Sequence, residues 1–222
     1  DKLRNPAAPF ITSTLQQEAA RKLGFTARRT MRAAQSLYEG VSLGRSGTHG
    51  LITYMRTDST RIAEVAQEEA RKFIESSYGA QFLPPSVRQY KNKNNAQNAH
   101  EAIRPTDINR TPESIKEYLS NDEYKLYRLI WARFLASQMA SAKIKQTSAV
   151  ITAGDYEFAA SGAVVTFKGF LEVYEEGHDD KEEAAKMMAQ VNEGESLKHQ
   201  KDAPKQHFTQ APPRYTEATL IK

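Results

Sequence analysis

The chain has 222 residues, with 31 lysines and arginines against 27 acidic residues, a formal net charge of +4, a pI near 9.1 and a mean hydropathy of −0.66. It contains no cysteine, which excludes disulfides, thiolate nucleophiles and cysteine-based zinc sites within it and fits a reducing cytoplasm, and no run reaches the roughly eighteen apolar residues of a membrane helix. Such a length carries one large or two smaller domains, and the mild basic excess permits a nucleic-acid partner without demanding one.

The sequence starts at Asp1 and stops at Lys222 within a predicted helix start, so it reads as a piece of a longer protein. Residues 1–11, with Pro6 and Pro9, predict an extended lead-in. Ser13, with Gln16 three residues on, predicts a cap for a helix that Gly24 stops. Thr26 caps a second helix to about Glu39; its Met31, Ala34, Leu37 and Tyr38 have helical spacing, while Arg28, Arg29 and Arg32 fall elsewhere. Two short helices about a glycine turn, the second basic, resemble a helix-turn-helix. The same arginines equally describe a solvated face.

Gly40, Gly44, Gly47 and Gly50 predict a flexible loop, readable as a mobile gate or as a plain hairpin connection, and it lacks the P-loop pattern. Leu51–Met55 fits a short strand, which the Asp58/Ser59 pair ends by offering helix caps. On a strand, side chains two apart share a face, so Tyr54 and Arg56 point the same way. Arg61 to Tyr78 predicts an amphipathic helix with Ile62, Val65, Ala66, Phe73 and Ile74 inward, ended by Gly79. Residues 82–98, with Pro84-Pro85 and a polar run over 91–95, predict a long surface connection.

His100-Glu101-Ala102-Ile103-Arg104 is half of a His-Glu-x-x-His zinc motif, but Arg104 stands in the second histidine's place and excludes a zincin. His100 and Arg104 would share a helical face, although Pro105 biases Arg104 away from helix. Thr111-Pro112 starts a short predicted helix through Leu119, and Ser120 or Asn121 caps a longer one with Tyr124, Tyr127, Ile130, Trp131, Phe134 and Leu135 inward. From Ser141 the pattern turns to β: strands over 144–153, 156–161 and 163–167 about a Gly154-Asp155 turn, then a helix over 179–191, strands over 196–200 and 206–210, and a helix beginning at Thr216. A helical unit to about Met139 thus precedes a β-rich one.

Tyr54 is the candidate of greatest chemical interest. A phenol of reference pKa about 10 attacks phosphorus only where positive charge or a base favours the phenolate. Arg56 would supply part of that charge and grip a phosphate, and His100 and Arg104 would join if the fold brings them close. From the residues alone, a tyrosine on a strand equally reads as packing.

Leu51-Ile-Thr-Tyr-Met-Arg-Thr-Asp-Ser59 resembles the active-site signature of the type IA DNA topoisomerases, in the bacterial topoisomerase I branch, and residues 99–105 resemble its second signature. Residues 9–17, 129–131 and 206–214 also fit the family in order, so the similarity spans essentially the whole chain. The resemblance implies an α+β chain: residues 12–139 a mainly helical DNA-cleavage domain with a helix-turn-helix-like element, and residues 1–11 with 140–222 a β-rich arch domain ending in the start of a linker helix. It implies that Tyr54 joins the 5′-phosphate of a cut strand of single-stranded or negatively supercoiled DNA, without ATP. Tyr54 and Arg56 would be catalytic, and Arg56, His100, Arg28, Arg29 and Arg32 DNA-binding. Asp58, Glu101 and Arg104 would support them. No metal ligand is assigned in this chain; Mg²⁺ would be bound by a Toprim domain that the sequence lacks, so the fragment is expected to be inactive alone. The alternative is a non-catalytic nucleic-acid-binding module using the basic helix near Arg28.

Overall fold

The computed structural model describes residues 1–90, 100–177, 192–201, 203–212 and 214–221. Strand β1 (Lys2–Arg4) is followed by helices α1 (Thr12–Leu23) and α2 (Ala27–Glu39), and the short pair β2 (Val41–Ser42) and β3 (Thr48–His49). Helices α3 (Glu64–Tyr78) and α4 (Asn121–Ser137) lead to the long strands β4 (Ala142–Ala153) and β5 (Tyr156–Phe167), with a last short helix α5 (Glu217–Leu220).

The core is helical. Leu15 and Ala19 of α1, Ala34 and Leu37 of α2, Ala70 and Ile74 of α3, and Leu126, Tyr127, Ile130, Phe134 and Leu135 of α4 are all buried in one cluster with Phe10, Leu51, Ile52 and Met55. In α4 the expected Tyr127, Ile130, Trp131, Phe134 and Leu135 are buried while Tyr124, in the first turn, is only half-buried, and Trp131 also donates its indole N–H to Ile108 O at 2.9 Å. In α3 the stripe is displaced: Val65 is exposed, and Ala70 and Gln67 are buried instead.

Capping follows the sequence in part. Thr26 accepts from the Arg29 N–H, and Ser120 with Glu123 forms a reciprocal capping box at the start of α4. Gly24 ends α1 at φ 64°, a left-handed conformation in which its N–H reaches back to the Ala20 carbonyl. Ser13 is not the α1 cap. The helix begins earlier, with Ile11 extended at the cap and its N–H donated to Thr14 Oγ1 at 3.0 Å.

Residues 40–50 form a small hairpin, β2 against β3, closed by a 3₁₀ turn at Gly44–Ser46, in line with the hairpin reading of the glycine-rich loop. Other expected elements differ. No helix runs from Thr111 to Leu119; turns and a 3₁₀ turn at Lys116–Tyr118 take its place. Residues 156–167 form one strand rather than two. Residues 196–200 and 206–210 are irregular and exposed, because nothing described pairs with their backbone. The polar run over 91–95 and the helix expected over 179–191 lie outside the described residues.

Strand β4 pairs antiparallel with β5 along its length and with β1 at its base, giving the order β1-β4-β5. The hairpin turns at Gly154-Asp155 and leaves Val150, Tyr156, Phe158, Val164 and Val165 exposed. No helix of the described residues is long and apolar enough to cross a membrane.

Candidate active site

Residues 51–63 form no regular strand. Ile52 makes one isolated antiparallel bridge with Pro105, and the helix after this stretch starts at Glu64, capped by Ala63 rather than by Asp58 or Ser59. The segment is nevertheless held in extended form by groups distant in sequence. The Leu51 N–H donates to Leu37 O at 2.7 Å, the Thr53 N–H to Arg104 O at 2.9 Å, and the Thr106 N–H to Leu51 O at 3.0 Å. Thr53 Oγ1 donates to Ala102 O at 2.6 Å and accepts from the Arg104 N–H at 3.0 Å. On the far side of Tyr54, Thr12 Oγ1 lies 2.7 Å from Met55 O and accepts from the Thr57 N–H at 2.9 Å.

This pinning enforces a two-residue alternation. Met55, Thr57 and Ser59 are buried, while Tyr54, Arg56 and Asp58 are exposed. Tyr54 and Arg56 thus lie on one side of the chain, as two-residue spacing demands, although the partner of this segment is the 102–106 stretch and not a neighbouring strand.

Arg56 and His100 line one cavity of about 460 Å³, together with Asp58, Thr57 and the first turn of α1 at Ile11, Thr12 and Ser13. Tyr54 is not part of its lining, which begins two residues on at Arg56. The α1 N-terminus lines the space, where the positive end of its dipole suits an anion, although the Ile11 N–H is donated to Thr14 Oγ1 and the Thr12 N–H to Thr57 O. A guanidinium and an imidazole on the same wall add hydrogen-bond donors matched to a phosphate. Sequence reasoning gave Thr12 no role and Ser13 only that of a helix cap, although both fall within the quoted 9–17 stretch; the contribution of Thr12 depends on contacts across more than forty residues.

His100 and Arg104 do not share a helix face, because residues 100–105 are extended, bridging Phe10 through Ile103 and Ile52 through Pro105. Pro105 excludes the helix that would have aligned them. Arg104 instead donates to Glu101 Oε2 at 2.8 Å from Nε and to Pro105 O at 3.0 Å from Nη1. Both side chains are largely buried and engaged with each other. On α2, Arg29 binds Asp122 through Nε and Nη2 at 2.7 Å each and lies over the Phe25 ring. It braces α2 against α4, while Arg28 and Arg32 are exposed.

Among the described residues no group of three histidine, aspartate or glutamate side chains is arranged to hold a metal ion. Asp58 is the one acidic side chain lining the cavity, and Glu101 is engaged with Arg104. Among the described residues, those lining this cavity do not fit a magnesium site.

The family profile for DNA topoisomerase matches residues 1–222. The chain belongs to the DNA topoisomerase family. It is also similar to the solved structure of full-length topoisomerase I from Thermotoga maritima, at 42% identity and a TM-score of 0.68, over 83% of this chain. The match covers 30% of the Thermotoga chain, so this topoisomerase-family chain corresponds to under a third of that relative's length.

Proposed function

We propose that the chain is the tyrosine-bearing part of a type IA DNA topoisomerase, which cuts and reseals one DNA strand through Tyr54. The phenol oxygen attacks the phosphorus of a phosphodiester. One P–O bond to Tyr54 forms as the P–O bond to the 3′ oxygen breaks; the phenol gives up its proton and the leaving 3′ oxygen takes one. The number of phosphoester bonds is unchanged, so resealing by the 3′-hydroxyl needs no ATP. Arg56, His100 and the α1 N-terminus would hold the phosphate and neutralise the charge spread over its oxygens. The residues that bind Mg²⁺ would come from the rest of the polypeptide, as would the remainder of the groove for single-stranded DNA.

The observation that carries this reading is an exposed Tyr54 and Arg56 on one side of a segment pinned on both flanks, beside a cavity shared with His100. Single-stranded oligonucleotide and Mg²⁺ should give a covalent adduct with the intact polypeptide, at a peptide containing Tyr54, and none with this chain alone. Tyr54→Phe should abolish both the adduct and supercoil relaxation. Relaxation that persists in that variant would end the assignment.

The exposure of Arg28 and Arg32 favours a second reading, a non-catalytic nucleic-acid-binding surface on α2. Salt-dependent DNA binding weakened by Arg28→Ala and Arg32→Ala, with Tyr54→Phe silent in every assay, would select it.

A further inference from the structure

We infer that Tyr38 is a positioning residue for the Tyr54 phenol, a reading that rests on the function proposed above. The two rings meet edge to face, with centroids 5.3 Å apart and planes at 62°. Pairs of this geometry are attractive beyond their buried area, because the positive edge of one ring faces the negative face of the other.

The backbone hydrogen bonds around residue 54 fix where the chain runs, but they leave the side chain free to rotate. Tyr54 is 44% exposed, its hydroxyl has no hydrogen-bond partner among the described residues, and Tyr38 is its one aromatic neighbour there. Tyr38 is thus the one aromatic restraint among the described residues on the arc swept by the phenol oxygen.

Tyr38 is suited to this because its own position cannot slip. It occupies the last turn of α2, where the neighbouring Leu37 carbonyl accepts from the Leu51 N–H. Gly50 passes so close that a Cβ there would stand 2.8 Å from the Tyr38 carbonyl oxygen, so this approach requires glycine. The helix end and the segment leading to Tyr54 are thus tied together by the Leu51–Leu37 hydrogen bond and by the close approach of Gly50 to the Tyr38 carbonyl. Nor does core packing explain Tyr38: Ala33, Ala34 and Leu37 seat α2, whereas Tyr38 is 40% exposed. A nucleophile held near its line of attack reacts faster than one that must search for it.

The test uses the intact polypeptide and a labelled single-stranded oligonucleotide, measuring the single-turnover rate of adduct formation and the equilibrium affinity for DNA. Tyr38→Leu should slow adduct formation about three- to tenfold with DNA affinity unchanged, the size expected for losing an aromatic pair in the transition state. Tyr38→Phe, which keeps the ring, should restore the rate. A wild-type rate for Tyr38→Leu, a Tyr38→Phe variant as slow as Tyr38→Leu, or a loss of affinity that matches the loss of rate would each overturn the inference while leaving Tyr54 as nucleophile. Absence of any adduct in the unsubstituted protein, or an adduct that survives Tyr54→Phe, would overturn both.

Discussion

At the scale of single residues, the site depends on polar groups that satisfy backbone across long sequence distances. Thr12 is the clearest case, since its one hydroxyl meets Met55 O, Thr57 O and the Thr57 N–H. Thr12→Val keeps the shape and removes every one of these bonds. Leaving part-buried backbone groups unsatisfied costs about 1–3 kcal/mol, so that variant should unfold at correspondingly lower denaturant. Loss of only a few tenths would mean that water replaces the hydroxyl and that the 55–57 bend is held some other way. Sequence spacing showed that Tyr54 and Arg56 share a side, because alternation survives in any extended chain. It could not show that Thr12 and Thr53 build that side, since no local pattern encodes a partner forty or fifty residues away, nor that Tyr38, on a different element, meets the Tyr54 ring.

At the scale of elements, helices with strong end signals were legible and segments held by tertiary bonds were not. Thr26, Gly24 and Ser120 act within one turn of their own helix, so their roles follow from neighbours in sequence. The strand expected at 51–55 and the helix expected around His100 fail for the opposite reason: both stretches are shaped by each other and by Phe10. The α4 N-terminus combines local and tertiary terms. Arg29, hydrogen-bonded to Asp122, holds that carboxyl below the usual carboxylate range. For Glu123, burial pushes the pKa up, but hydrogen bonds from Ser120 and Ser36 outweigh it and the net shift is downward. Groups with depressed folded values stabilise the protein above their unfolded values, near 4, and lose that contribution as the pH falls through the folded ones. Ser120→Ala should destabilise the chain by about 1 kcal/mol at neutral pH. Glu123→Gln should flatten the acid limb of stability between about pH 5 and 2, measured by thermal unfolding. An unchanged acid limb would show that other carboxylates govern it.

At the scale of the whole molecule, the chain passes between the helical unit and the β1-β4-β5 sheet three times, after β1, before β4 and after β5, and a polar network joins these passages. Arg133 of α4 donates to Ala8 O at 2.6 Å, to Glu176 at 2.8 Å and to the Tyr174 hydroxyl at 3.3 Å. The Tyr174 hydroxyl donates to Glu18 of α1 at 2.7 Å, and Glu18 also accepts from the Gly177 N–H. Tyr90 adds a bond to Ser137 O at 2.8 Å. Burial pushes the phenols of Tyr174 and Tyr127 well up and that of Tyr90 up to about 12. These tyrosines stay protonated in the folded chain but ionise near pH 10 once unfolded, so the unfolded state holds fewer protons and stability falls as the pH rises above about 10. Followed by phenolate absorbance, these three should ionise only with unfolding. Tyr174→Phe should cost about 1–3 kcal/mol at neutral pH, because Glu18 and Arg133 lose a buried partner. The deficit should narrow from pH 10 upward, where the unsubstituted chain alone carries the ionisation penalty at this position. A deficit that stays constant from pH 7 to 11 would mean that Tyr174 opens to solvent without breaking the junction. The clamp would then have to rest on Arg133 with Ala8 and Glu176 alone.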